Sequence, residues 1–232
     1  MKVWQVQQGT QEWLRVRAGI PTASAFDSIV TPSGKPSKSA ERYMYTLLAE
    51  RLMGHPVTEH VSFWMNRGSE MEARAVRFYE LQRDLDSTPV GFITTDDGKI
   101  GASPDRLVGE EGLLEIKCPS EHIHMSYLLK SGSAYEAYKV QVQGQLLVTT
   151  RHWCDVLSWH PELPPALLRI QRDPVFIDIL EPQLRAFSDA LELLARELDS
   201  IAMPSTRPQR EKSLTDLLKE SLLSLKGARS NA

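Results

Sequence analysis

Three residues near the middle of the chain have types and spacing suited to chemistry on a phosphodiester. Asp105 closes Ser103-Pro-Asp105, and Glu115 and Lys117 follow in Glu115-Ile-Lys117. Side chains two apart on a strand share a face, so Glu115 and Lys117 point the same way and Ile116 points to the other. Between them Gly109-Glu-Glu-Gly112 reads as a turn, which folds two strands together and lets Asp105 approach Glu115. Two converging carboxylates supply the hard oxygens that Mg²⁺ prefers, and the Ile116 carbonyl lies between them as a further ligand. An ammonium beside such an ion can orient or help deprotonate an attacking water, with its pKa lowered by the cation and by burial. The spacing alone is equally compatible with Asp105 capping a turn while Glu115 and Lys117 pair on a solvated face. The apolar run Leu113, Leu114, Ile116 favours the first reading, because charges beside a buried strand are costly without a partner or metal.

Two further segments carry polar groups that could join this cluster. In Arg67-Gly-Ser-Glu70-Met-Glu72-Ala-Arg-Ala75, helical spacing puts Glu72 on one face with Ala75, Val76 and Tyr79. Glu70 instead shares a face with Arg74 and Arg77 and reads as a solvated ion-pair residue. A carboxylate on an otherwise apolar face invites a metal or a charge partner, and a buried ion pair satisfies it as well. In Tyr138-Lys-Val-Gln141-Val-Gln143-Gly-Gln145, the stripe Tyr135, Tyr138, Val142, Leu146 is apolar and Gln143 lies off it. Glutamines can hold a water or a phosphate oxygen, or simply occupy an exposed face.

The elements that must position these groups follow from the sequence pattern. Residues 10–18 read as a short helix ended by Gly19, and Thr22-Ala-Ser24 offers cap-type side chains for a second one. Helices are expected from Ser39 to about Met53 and over roughly 63–84, with a loop at 31–37 between the first pair and this one. The period then changes. Strands are expected at Val90–Thr95, Lys99–Val108 and Leu113–Cys118, joined by Asp96-Asp-Gly98 and by 109–112 into an antiparallel meander. A helix at about 133–149, strands at 153–159 and 167–171, and a helix over 175–201 complete the pattern. The fold class expected is α/β (α+β): a central mixed sheet with antiparallel hairpin strands flanked by helices. One domain covers residues 1–203, and 204–232 reads as a linker followed by an amphipathic helix carrying Leu214, Leu217, Leu218, Leu222 and Leu225. That helix would dock on its own domain or bind a partner.

Composition narrows the function classes. At 232 residues, with 41% hydrophobic and 25% charged residues, the chain is ordinary for a water-soluble globular protein. No apolar stretch reaches membrane-spanning length and the first residues lack a secretory pattern, so a cytoplasmic location is expected. Cys118 and Cys154 cannot form a four-cysteine metal site by themselves and read as packed free thiols. The net charge of −3 argues against a strongly basic DNA coat protein. Residues 1–52 nevertheless carry seven basic against four acidic side chains, which leaves room for a local basic groove.

Taken together, these segments resemble the phage-lambda-type exonucleases, the YqaJ-like viral recombinase family within the PD-(D/E)xK nucleases. The resemblance rests on Trp13-Leu-Arg-Val-Arg17-Ala-Gly19-Ile-Pro-Thr22-Ala-Ser24, Gly68-Ser-Glu-Met-Glu72-Ala-Arg-Ala75, Ser103-Pro-Asp105, Leu114-Glu115-Ile-Lys117-Cys-Pro119 and Gln141-Val-Gln143. These five motifs agree in order and spacing over about residues 10–150. The resemblance implies a restriction-endonuclease-like core and a Mg²⁺-dependent 5′→3′ exonuclease acting on double-stranded DNA. It implies one Mg²⁺ on Asp105, Glu115 and the Ile116 carbonyl, and a second on Asp105 and Glu72, with Mn²⁺ able to substitute. Lys117 would assist the nucleophilic water, Gln143 would position it or the scissile phosphate, and Arg17 and Ser24 would bind a terminal 5′-phosphate. Without the resemblance, Arg17 and Ser24 read as an ion-pair residue and a helix cap. A ring-shaped homotrimer and a single-strand annealing protein as partner are also implied. A PD-(D/E)xK endonuclease or repair nuclease shares the metal core and is the alternative; an inactive DNA-binding scaffold fits less well, since all the charged core residues are present.

Overall fold

Alternation along β6 (Gly112–Lys117) decides how the molecule is layered. Leu114 and Ile116 face one way, into a cluster with Ala75, Val76 and Tyr79 of helix α3 (Phe63–Arg83) and with Val108 and Leu157. Leu113 faces the other way, against Val142 and Leu146 of helix α5 (Ser133–Thr149), with Cys154, Val156 and Ile170. A strand covered on both faces reads as a continuous apolar run, and here that run is interrupted only by Glu115. The computed structural model describes residues 1–57, 63–130 and 132–202, with the side chains of 63–70, 199, 201 and 202 excepted. The expected C-terminal helix and the Glu70 side chain lie outside the described residues.

The main sheet is five-stranded and mixed, in the order β2 (Ser87–Pro89), β5 (Arg106–Val108), β6, β7 (Trp153–Ser158), β8 (Ala166–Gln171). Only β6 and β7 are parallel; every other neighbour is antiparallel. A parallel pair needs a crossover, and α4 (Glu121–Leu129) and α5 supply it. A second, three-stranded sheet has the order β1 (Lys2–Trp4), β3 (Phe92–Thr94), β4 (Gly101–Ala102). The expected fold class, a mixed sheet flanked by helices, is the one observed.

The expected meander is not observed. The run Lys99–Val108 divides into β4 and β5, which belong to different sheets. The division falls at Ser103-Pro104-Asp105, where Pro104 has no N–H to continue a ladder. Gln8 donates to the Pro104 carbonyl at 2.9 Å and to the Val90 carbonyl at 2.8 Å, so the broken backbone is held by a side chain. Asp105 thus sits at the junction of two sheets. Strands β1 and β2 and helix α4 were not anticipated either; the two strands are three residues each, too short to show a period of two.

The N-terminal elements pack on this junction. Helix α1 (Gln11–Arg17) begins at Thr10, whose hydroxyl accepts from the Trp13 N–H. The 3₁₀ helix Ala23–Ser28 lies against α5, with Phe26 and Ala23 beside Gly144. Helix α2 (Ala40–Met53) contributes Met44, Leu47 and Leu48 to a core shared with Leu180, Leu184, Phe187 and Leu191 of α6 (Pro174–Ala202). The expected leucine stripe on α6 is therefore its buried face.

A side chain at Gly144 would collide with the Phe26 ring. Gly144→Val is expected to cost about 1–3 kcal/mol through forced separation of α5 from the 3₁₀ helix. Urea unfolding measures this, and an unchanged midpoint would show that the contact is not tight.

Candidate active site

Glu115 is buried (4% exposed) inside an apolar layer, and its carboxylate is surrounded by donors. Oε1 accepts from Lys117 Nζ at 2.7 Å and from Gln141 Nε2 at 2.6 Å; Oε2 accepts from Gln145 Nε2 at 2.6 Å. Gln141 Oε1 in turn accepts from Lys117 Nζ at 3.1 Å. Lys117 also lies 4.7 Å from the Tyr138 ring centroid, a cation–π contact on the same face. The pairing of Glu115 with Lys117 is thus half-buried rather than solvated.

Asp105 reaches the neighbouring strand, where its Oδ2 accepts the Ile116 N–H at 2.6 Å. The register Arg106↔Leu114 runs on to set Asp105 opposite Glu115. Burial and then the Glu115 charge hold the Asp105 carboxyl well above the usual carboxylate range; the Ile116 N–H opposes this and Glu72 adds to it. Glu72 is half-buried on the sheet-facing side of α3, as its helical spacing indicates, and its carboxyl is raised by burial and, more weakly, by Glu115, with Arg106 opposing. It makes no hydrogen bond or ion pair among the described residues. For Lys117, burial alone would lower the ammonium pKa as anticipated, but the charge and hydrogen bond of Glu115, with Asp105, outweigh it and leave it raised.

Three carboxylates therefore share a desolvated space with one ammonium. Among the described residues no group of three His, Cys, Asp or Glu side chains converges at ligating distance. The donor set that does converge is smaller: Asp105 and Glu115, opposite one another across the β5–β6 pair. It is all hard oxygen and carries excess negative charge, which fits a small divalent cation such as Mg²⁺.

The second cluster is built on Ser103. Its hydroxyl oxygen accepts from Arg17 Nη1 at 2.7 Å and from Trp13 Nε1 at 3.1 Å. The Arg17 guanidinium stacks 4.1 Å from the Trp13 ring centroid. Burial lowers its pKa to about 10, while Tyr43, Glu50 and Glu115 raise it. Arg17 has no carboxylate within ion-pair distance among the described residues, so the ion-pair alternative is not what is observed. Ser24 is exposed at the start of the 3₁₀ helix, 3.3 Å from the Thr22 hydroxyl, and makes no cap.

Of the expected site residues, Asp105, Glu115, Ile116 and Lys117 come together, Glu72 approaches from α3, and Arg17 stands within electrostatic reach of Glu115. Gln143 does not join them. Its Nε2 donates to the Gln171 carbonyl and its Oε1 accepts the Asp173 N–H, both at 2.9 Å, tying α5 to the end of β8. Gln141 and Gln145 occupy the place expected of it. The signal was available: residues 138, 141 and 145 share one helical face by i+3 and i+7 spacing.

Residues 12–152 match the YqaJ-like viral recombinase domain. The chain belongs to the YqaJ-like viral recombinase family. It is similar to the alkaline exonuclease LHK-Exo of Laribacter hongkongensis, at 34% identity over 83% of this chain and 98% of that one, with a TM-score of 0.75. LHK-Exo in complex with dAMP matches at 35% identity, with the same coverage and TM-score. A phage-related exonuclease of Haemophilus somnus 129PT shares the fold, at 16% identity over 77% of this chain and 96% of that one, with a TM-score of 0.61. No curated protein matches the chain. Membership makes this a hydrolytic nuclease. Among the described residues no helix is long and apolar enough to cross a membrane.

Two outcomes are expected from this geometry. Gln141→Ala should lower cleavage far more than Gln143→Ala, whereas Gln143→Ala should lower the thermal midpoint more; the opposite ranking would restore Gln143 to the site. For Asp105, a carboxyl whose folded pKa is raised stabilises the metal-free fold only while protonated. That contribution is lost as pH climbs from the ordinary carboxylate value through the raised one. Asp105→Asn keeps an acceptor for the Ile116 N–H and removes the charge, so its thermal midpoint should exceed that of metal-free wild type by a margin that grows with pH. A margin independent of pH would show that Asp105 is not held under this strain.

Proposed function

We propose that the chain is a Mg²⁺-dependent 5′→3′ exonuclease on double-stranded DNA, releasing 5′-mononucleotides and leaving a 3′ single strand for recombination by strand annealing. The observation that carries this reading is the placement of Arg17, a half-buried guanidinium with no carboxylate at ion-pair distance among the described residues, on Ser103, two residues before Asp105. A nuclease that works from a phosphorylated end needs an anion pocket next to its carboxylates to grip the terminal phosphate. The dAMP held by LHK-Exo is a deoxynucleoside monophosphate, the size and charge of one product of such a reaction.

Asp105, Glu115 and the Ile116 carbonyl would hold one divalent ion, with Asp105 and Glu72 serving a second; Mn²⁺ should substitute. Bound there, the ions supply charge stabilisation for the attacking and leaving oxygens of an in-line displacement. Lys117, fixed by Glu115 and Gln141, is positioned to orient a water and take up its developing charge. Gln141 holds the Lys117 ammonium in place through its Oε1. Arg17 grips phosphate oxygens as a charge-assisted donor while Trp13 stacks on its plane. Ser24, exposed nearby in the chain, adds a hydroxyl donor. A ring-shaped homotrimer and a single-strand annealing partner extend the proposal from the family resemblance, with the cytoplasm as its setting.

Duplex labelled at each end tests the polarity. With Mg²⁺, label should be released from 5′-phosphorylated ends in preference to 5′-hydroxyl ends, and closed circular duplex should stay intact; loss from 3′ ends, or nicked circles, would sink the proposal in favour of another nuclease class. Arg17→Ala should reduce the preference for phosphorylated ends by roughly 10–100-fold, the worth of a hydrogen bond to a charged group. Asp105→Ala or Lys117→Ala should abolish cleavage while duplex binding and circular dichroism stay near wild type.

A further inference from the structure

The three glutamines of α5 have different hydrogen-bonding fates. Gln143 spends both ends of its amide on backbone groups of Gln171 and Asp173. Gln141 donates to Glu115 and accepts from Lys117. Gln145, 1% exposed, donates to Glu115 Oε2 at 2.6 Å, and its Oε1 is buried with no hydrogen-bond partner among the described residues. The orientation of this amide is not arbitrary. An ionised carboxylate only accepts, so rotating the amide would set one oxygen against another.

A buried amide oxygen without a donor costs about 1–3 kcal/mol. Packing alone does not call for it, since a methionine of similar length fills such a space without an orphaned acceptor. What the amide supplies is a fixed grip on one oxygen of Glu115. Oε1 is held by Lys117, whose side chain is 22% exposed, and by the half-buried Gln141. Among the described residues Oε2 is held by Gln145 alone, from a buried turn of α5 whose Thr149 hydroxyl donates back to the Gln145 carbonyl at 2.7 Å. The two oxygens are thus tied to different donors, and the carboxylate cannot turn without breaking one tie.

We propose that Gln145 is a positioning residue for Glu115, fixing which carboxylate oxygen faces a bound divalent ion, and that its free Oε1 accepts from a buried water. The inference rests on the metal-dependent reading above. It places the water-holding role on the one glutamine of the three with an acceptor to spare.

The test is Mn²⁺ binding to the full chain by titration calorimetry, with the metal-free thermal midpoint measured alongside. In Gln145→Met the Mn²⁺ dissociation constant should rise about 10–100-fold, the usual effect of removing a group that orients a metal ligand. Turnover on duplex should fall while KM for DNA stays near wild type, as expected when only the reacting centre is disturbed. Wild-type Mn²⁺ affinity in the variant overturns the proposal, whatever happens to its stability. Gln145→Asn, which keeps an amide one methylene short of Glu115, gives the same loss and serves if the methionine variant does not fold. A wild type that binds no Mn²⁺ is a different result: it removes the metal-dependent reading and this inference together. A high-resolution crystal structure of the Mn²⁺-bound wild type without a water on Gln145 Oε1 overturns the second half of the proposal.

Discussion

A buried carboxylate inside an apolar layer has to be answered by every element that touches it, and Glu115 sets that requirement for this fold. Its strand is covered on both faces, so water cannot solvate it. Lys117 answers from the same face of the same strand, and Gln141 and Gln145 answer from α5. These groups are useful to Glu115 only if α5 packs at one depth and one rotation over the sheet. The close approach to Phe26 of Gly144, one turn on from Gln141, limits that depth. The polar network and the packing of the helix are one constraint seen from two sides.

The junction at Ser103-Pro104-Asp105 converts this constraint into a site with two ends. Because the strand breaks there, Ser103 belongs with the N-terminal sheet and Asp105 with the main one. Trp13 and Arg17 hold the first of these residues, and the Ile116 N–H holds the second. Ser103, which holds the Arg17 guanidinium, and Asp105, which faces Glu115, are therefore a fixed two residues apart along the backbone. The opposite signs of the guanidinium and the carboxylates fit a nuclease of net charge −3 acting on a polyanion, because the positive charge that matters can be local.

Much of this was legible in the sequence, because it depends on short-range geometry. The period of two gave Glu115 and Lys117 a shared face, the Gly109–Gly112 turn gave Asp105 its partner strand, and helical spacing put Glu72 on the side of α3 that Ala75, Val76 and Tyr79 bury. What was not legible depends on long-range pairing. A run such as Lys99–Val108 looks like one strand until the partners of its halves are known, and Pro104 alone does not say that they lie in different sheets. Gln143 failed for a related reason. Its position on the helix was read correctly as off the apolar stripe, but β8 and the start of α6 cover that side. An off-stripe polar residue can face solvent, a site or a backbone edge, and only the tertiary neighbours choose.

The same reasoning accounts for how Glu72 is held near the site without a hydrogen bond or ion pair among the described residues. Tyr79 lies two turns further along α3 on the same face, and its hydroxyl donates to Asp155 Oδ2 at 2.9 Å. Asp155 is fully buried on β7 and accepts two further bonds of 2.8 Å from the Arg169 guanidinium on β8. Arg169 in turn stacks 3.7 Å from the Trp153 ring centroid. A carboxylate this deep would be costly alone, yet the fork of Arg169 and the Tyr79 hydroxyl satisfy both of its oxygens. This second buried acid pins α3 to the strand beside β6. With the helix rotation fixed at Tyr79, Glu72 must face the sheet end where Asp105 and Glu115 lie. One buried aspartate thus orients a helix so that another carboxylate, Glu72, faces the sheet end without an ion pair among the described residues.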